Sequence, residues 1–169
     1  REAMHKDSVI VGIDIDPSCT RCIDVENGIH VEIGDATDSA FLNKVLEKHG
    51  PFDLILDDGS HTNRDVILSF NQLFGTLNDG GLYVVEDTIC FKSASHRKGG
   101  YPNHLEYFSS LTPYLNQWRF DSTSGTRDHC VDPFKIQKKA SNQIEAGVDR
   151  IEFGCSYVAV HKKVREHWL

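Results

Sequence analysis

Phe52-Asp53-Leu54-Ile55-Leu56-Asp57-Asp58-Gly59-Ser60-His61 is the stretch that decides the fold. Residues 52–57 are a short apolar run of strand character. The run ends in two adjacent carboxylates, a glycine, a serine and a histidine. Like charges repel, so Asp57 beside Asp58 is a poor structural choice. A positive group, or chemistry that needs a base, is expected next to them. Downstream, Val66, Ile67, Phe70, Leu73, Phe74 and Leu77 recur at helical spacing, and N-D-G-G (78–81) ends that helix. G-L-Y-V-V-E-D (81–87) is the next strand.

Upstream, V-I-V-G-I-D-I (9–15) reads as a buried strand and I-H-V-E-I (29–33) as a second, alternating one. Thr37 or Asp38 can cap the helix that follows, with Phe41, Leu42, Val45 and Leu46 on one face and Gly50 and Pro51 as its stop. Strand, strand, helix, strand, helix, strand with short connections predicts an α/β domain with a largely parallel sheet, its strands covered on both faces. Beyond Thr88 the pattern loosens. The 88–104 loop is long enough to act as a lid. Leu105, Phe108, Leu111 and Leu115 predict a third helix that Pro113 shortens. Residues 117–121 read as a strand, 122–150 as a polar segment without period, and I-E-F-G-C-S-Y-V-A-V-H (151–161) as one closing strand. There is no internal repeat, so residues 1–169 are expected to form a single domain.

Composition narrows the function classes. The net charge is −7, from 18 basic and 25 acidic residues, which argues against nucleic acid as the partner. The basic stretches 92–98 and 135–139 read as solvated loops. No apolar run approaches the roughly 20 residues of a membrane helix, so no membrane partner is expected. The five scattered cysteines favour a reducing compartment, the cytoplasm. Cys19 and Cys22 form a single C-x-x-C, read as two ordinary thiols because no second pair accompanies them. A homo-oligomer is compatible with the sequence.

Four of the predicted strands end in acids: Asp14 and Asp16, then Asp35, then Asp57 and Asp58, then Glu86 and Asp87. Open α/β sheets bind ligands outside the carboxyl ends of their strands. Asp14 suits the acceptor of a ribose diol, whereas Asp16, followed by Pro17, suits a turn. Asp58, Glu86 and Asp87 form a candidate hard-cation site of the kind Mg²⁺ prefers. Neighbouring strand residues face opposite sides, so Glu86 and Asp87 reach one ion only if the strand has begun to turn; otherwise either could cap a backbone amide. His61, three residues after Asp58, is the candidate general base, since imidazole titrates near neutral pH. His30, His49, His161 and His167 read as structural or solvated; His96, His104 and His129 fall in loops and could contact substrate, but nothing singles them out.

V-G-I-D-I-D-P, G-D-A-T-D-S-A-F-L, F-D-L-I-L-D-D-G-S-H and L-F-G-T-L-N-D-G-G-L-Y-V-V-E-D-T together resemble class I S-adenosylmethionine-dependent methyltransferases. The likeness is to the macrocin and mycinamicin type of metal-dependent sugar O-methyltransferases, with cephalosporin hydroxylase-like proteins as relatives. It runs from about Val9 to Thr88, and 151–161 resembles that family's last strand. The resemblance implies a Rossmann-like, mostly parallel sheet with an antiparallel closing strand. It implies S-adenosylmethionine and Mg²⁺ as cofactors and a sugar or polyketide glycoside hydroxyl as acceptor. By position, Asp14 would hold the cofactor's ribose and Asp35 would contact adenine. Asp58, Glu86 and Asp87 match the metal ligands, His61 the catalytic base, and Asp57 a group on the cofactor side that orients its neighbours. The family's first strand and glycine-rich turn have no counterpart here, so the chain is expected to be a fragment. Two other readings stand beside methyl transfer: a hydroxylase-like relative acting on a small molecule, and a cofactor-binding module without turnover.

Overall fold

The β-branched run near the start forms strand β1 (Ile10–Asp14), which pairs in parallel with β2 (Ile29–Ile33), Ile10 opposite Ile29 and Asp14 opposite Ile33. The computed structural model describes residues 5–96, 100–115, 144 and 147–163. The chain divides into two compact units, Arg1–Pro51 and Phe52–Leu169.

In the first unit, β2 leads into α1 (Ser39–His49). Asp38 rather than Thr37 is its N-cap, its carboxylate accepting the Ala40 and Phe41 amides. Leu42 and Val45 are its buried positions. Glu32 of β2 accepts from Lys48 at 2.7 Å and pairs with His49 at 2.8 Å, which ties the last turn of α1 to the strand. Both partners hold the Glu32 carboxyl below its ordinary value, Lys48 foremost.

The second unit opens with β3 (Phe52–Asp57), matching the quoted apolar run residue for residue. Helix α2 (Asn63–Leu73) follows, capped by Thr62, and a 3-10 turn (Phe74–Thr76) carries the chain into β4 (Leu77–Val85). The expected helix extension to Leu77 and the N-D-G-G stop therefore shift: Leu77 fits the helical spacing but is the first residue of the strand. Strands β3 and β4 are parallel. Helix α3 (His104–Ser110) ends before a short 3-10 turn (Thr112–Leu115) containing Pro113, as the sequence predicts.

The expected single closing strand is a hairpin. β5 (Val148–Phe153) and β6 (Val158–Lys162) run antiparallel, and the sheet order is β3-β4-β6-β5. The turn closes with the Gly154 amide donating to the Tyr157 carbonyl, and a Cβ at Gly154 would fall 2.0 Å from the Tyr157 ring. Gly154 thus permits a reversal inside a run whose apolar pattern reads straight through. β6 pairs antiparallel with β4, the relation expected of the closing strand. The strand expected at 117–121 lies outside the described residues.

Phe70 of α2 is fully buried and centres the core of this unit. Its ring meets Phe74 at 4.9 Å, Tyr83 at 5.1 Å and Phe108 at 5.0 Å, the last two edge-on. This packs α2, β4 and α3 together. Coverage of both strand faces does not hold for β3: Leu54 and Leu56 are 46% and 54% exposed. No helix among the described residues is long and apolar enough to cross a membrane.

Candidate functional site

The last residue of β3 and the residues just after β4 lie side by side because the two strands are parallel and in register, Asp57 opposite Val85. The Glu86 amide still donates to the Asp57 carbonyl at 3.0 Å. One residue later the chain leaves the sheet: Asp87 is left-handed, with φ +49°. That turn removes the alternation that would aim Glu86 and Asp87 to opposite sides.

Asp58, His61 and Asp87 come together. One ligand atom from each lies within 4.8 Å of the others. His61 Nε2 is 3.8 Å from Asp58 Oδ1 and 4.0 Å from Asp87 Oδ2. These are longer than hydrogen bonds. Among the described residues, neither carboxylate has a hydrogen-bond partner or a Lys or Arg counter-ion. Asp87 leads a 3-10 turn (Thr88–Lys92) but its side chain makes no cap bond, so the capping alternative does not apply to it. Glu86 is exposed and is not part of this cluster.

His61 is also left-handed, with φ +53°. Among the described residues, His61 and Asp87 are the positive-φ residues other than glycine. That backbone costs an L-residue roughly 1–3 kcal/mol and gathers at functional sites. Strain at both sides of one acidic cluster points to a geometry kept for what it holds.

The donor set suits a hard divalent cation. Around Mg²⁺ at ~2.1 Å, ligand atoms lie about 3 to 4 Å apart, close to the spacing here, and carboxylate oxygens are the preferred ligands. The two carboxylates, each more than half exposed, stand on either side of the His61 imidazole.

Asp57 lies beneath the cluster. Its carboxylate accepts the Tyr83 hydroxyl at 2.9 Å and the Gly59 amide at 3.4 Å. Burial pushes its carboxyl up from the ordinary value, and burial plus Asp57 pushes the Tyr83 phenol well up. Asp57 therefore shapes the D-D-G-S-H turn from inside. Helix α2 begins at once after His61, with Ser60 and Thr62 both engaged around Asp65: Ser60 Oγ donates to Asp65 at 2.7 Å and Thr62 Oγ1 accepts the Asp65 amide at 3.3 Å.

Asp14, Asp16 and Asp35 of the first unit have local partners. Asp14, at the end of β1, is exposed and accepts the Asp16 amide at 2.8 Å; a hydrogen bond to Asp14 also pushes the Cys19 thiol up. Its remaining carboxylate lone pairs are enough for a ribose diol. Asp16 is the turn former expected of it: it caps the 3-10 turn Pro17–Cys22 and bonds Ser18 through amide and hydroxyl, both at 2.8 Å. Asp35 accepts the Thr37 amide at 2.7 Å and hydroxyl at 2.8 Å, a local turn. Cys19 and Cys22 are free thiols. His49 and His161 pair with glutamates, as structural histidines do.

Sequence reasoning passed over Tyr83, Asn63 and His104. Tyr83 read only as an apolar strand residue, and nothing in a linear pattern shows that its hydroxyl reaches Asp57. His104 read as one of three loop histidines but is buried at the start of α3; Asn103, the cap that precedes it, was the available signal of a helix start there.

No protein-family model matches the chain. It is 42% identical over 80 residues to 8-demethyl-8-alpha-L-rhamnosyl tetracenomycin-C 2'-O-methyltransferase of Streptomyces olivaceus, a match covering 47% of this chain and 20% of that protein. It is 42% identical over 72 residues to demethylmacrocin O-methyltransferase of Streptomyces fradiae, covering 38% and 18%. It is 50% identical over 54 residues to mycinamicin VI 2''-O-methyltransferase of Micromonospora griseorubida, covering 32% and 14%. The match thus spans a fifth or less of these relatives' length. Among solved structures, the chain superposes on the MycE methyltransferase of the mycinamycin biosynthetic pathway, in complex with Mg and SAH, with a TM-score of 0.74 and 24% identity. That alignment covers 94% of this chain and 37% of MycE. The complex of the same enzyme with Mg, SAH and mycinamycin VI gives 0.71 at 25%, covering 92% and 36%. In sequence over the matched stretches, and in α/β fold over nearly its whole length, this chain is similar to the macrocin- and mycinamicin-type sugar O-methyltransferases.

Proposed function

We propose that the chain carries the acidic half-site of an S-adenosylmethionine-dependent, Mg²⁺-assisted O-methyltransferase acting on a sugar hydroxyl of a small-molecule glycoside, in the cytoplasm. The observation that carries this is the meeting of Asp58, His61 and Asp87, with left-handed backbone at both His61 and Asp87. The relatives' names support the acceptor class: they are O-methyltransferases of a rhamnosyl tetracenomycin, of demethylmacrocin and of mycinamicin VI.

Asp58 and Asp87 would hold the cation; Glu86, which stands outside their cluster, would have to turn toward it to serve as the third ligand the resemblance implies. A bound Mg²⁺ supplies Lewis acidity that lowers the pKa of an acceptor hydroxyl. His61 receives that hydroxyl's proton at Nε2, the nitrogen that faces both carboxylates. Asp57 keeps the turn in place through Tyr83. By the resemblance, Asp14 would hold the ribose of S-adenosylmethionine and Asp35 would contact its adenine.

The test is transfer of labelled methyl from S-adenosylmethionine to a deoxysugar glycoside. Chelation should abolish transfer and Mg²⁺ restore it. His61→Ala should lower turnover by ~10²–10⁴-fold, the usual worth of a general base. Near-normal turnover in His61→Ala would reject the base assignment, and indifference to chelation would reject the cation.

A further inference from the structure

His104 is 1% exposed and bridges the two strained turns of the acidic cluster. Its ring Nε2 lies 3.1 Å from the carbonyl of Thr88, the residue after Asp87. Its backbone amide donates to Asn63 Oδ1 at 3.2 Å, and Asn63 is two residues past His61. Asn63 and Thr88 are each 3% exposed. The Phe91 ring stands edge-on to the imidazole at 6.0 Å. The Thr88 amide in turn donates to the Ser156 carbonyl at 3.2 Å. Burial holds the His104 imidazole below its ordinary value. Since Nε2 faces a carbonyl, Nε2 carries the proton. Nδ1 is buried and finds no hydrogen-bond partner among the described residues.

A core position that only filled space would be better served by an apolar ring, which leaves no buried acceptor unpaired. What an apolar ring cannot do is donate to the Thr88 carbonyl. We propose that His104 is a positioning residue: its Nε2–H fixes Thr88, and with it the left-handed turn that brings the Asp87 carboxylate to Asp58 and His61. The proposal rests on reading that cluster as a cation-binding site. Groups that orient ligands from behind typically change metal affinity by ~10–100-fold when removed.

The test compares His104→Gln, whose side-chain amide can donate near the Nε2 position, with His104→Phe, which keeps the ring and loses the donor. Leu111→Ala, at a buried position just after α3, is the stability control. Two readouts are taken: amide hydrogen exchange of residues 86–93, which needs no ligand, and Mn²⁺ binding followed by electron paramagnetic resonance. His104→Phe should speed exchange at 86–93 by about tenfold or more and weaken Mn²⁺ by ~10–100-fold. His104→Gln should stay close to wild type in both. Leu111→Ala should lower the melting temperature and leave both unchanged. Unaltered exchange in His104→Phe, or equal acceleration in Leu111→Ala, overturns the positioning role. If the wild-type protein binds no Mn²⁺ while exchange behaves as stated, the cation reading fails and the positioning of the Asp87 turn stands.

Discussion

Replacing Asp87 by glycine should separate the stability of the site from its chemistry. Asp87 sits at φ +49°, its side chain is 59% exposed, and it makes no cap bond. The left-handed backbone costs an L-residue ~1–2 kcal/mol, and a glycine there avoids this. Against that, glycine loses ~0.5–1 kcal/mol more chain entropy than alanine on folding. Asp87→Ala keeps the backbone cost and removes the carboxylate; Asp87→Gly removes both. The carboxylate term cancels between the two variants, which leaves Asp87→Gly more stable than Asp87→Ala by up to ~1.5 kcal/mol. For a chain of this size that corresponds to a gain of up to ~6 °C in melting temperature. Calorimetric melts at neutral pH without divalent cations measure it. Both variants should fail in Mn²⁺ binding alike, because both lack the ligand. If Asp87→Gly melted below Asp87→Ala, the turn would not be strained, and the argument that strain marks this site would fall.

Other predictions concern parts of the fold away from the cluster. Lys162 is 8% exposed and its ammonium donates to the carbonyls of Gly75, at 2.8 Å, and Leu77, closing the turn after α2. Lys162→Met should lower stability by ~1–3 kcal/mol, seen as a lower urea midpoint at unchanged slope; an unmoved midpoint contradicts this. Glu32 has its carboxyl held below 4.5 by Lys48 and then His49, so its contribution is present above pH 4.5 and lost as pH falls through the lower folded value. Glu32→Gln should cost at most ~1 kcal/mol at pH 7 and flatten the decline of stability below pH 4.5. Urea midpoints of both proteins from pH 7 to pH 3 test this, and parallel profiles would refute it.

The elements legible in the sequence were those whose apolar period had a clear stop. Residues 29–33 and 52–57 are strands at the predicted bounds, because glycine or acid punctuates each. The closing hairpin was not legible: one glycine in a strand reads equally as a bulge or a turn, and the Gly154–Tyr157 bond that decides it lies in three dimensions. The exposure of Leu54 and Leu56 was hidden for a similar reason, since a run of leucine and isoleucine does not say what covers it. At the site, acids at strand ends were visible as residue types. The left-handed backbone at His61 and Asp87 was not, although both belong to the residue types that tolerate it. Nor was the role of Tyr83 or His104, whose partners lie 26 and 16 positions away in sequence.

The central claim is that Asp58 and Asp87 share one divalent cation beside His61. A Mn²⁺ titration by electron paramagnetic resonance tests it on wild-type protein, Asp58→Asn and Asp87→Asn. The wild type should take up Mn²⁺ that Mg²⁺ displaces, and each variant should bind it ~10-fold or more weakly. Wild-type affinity in both variants would contradict the account.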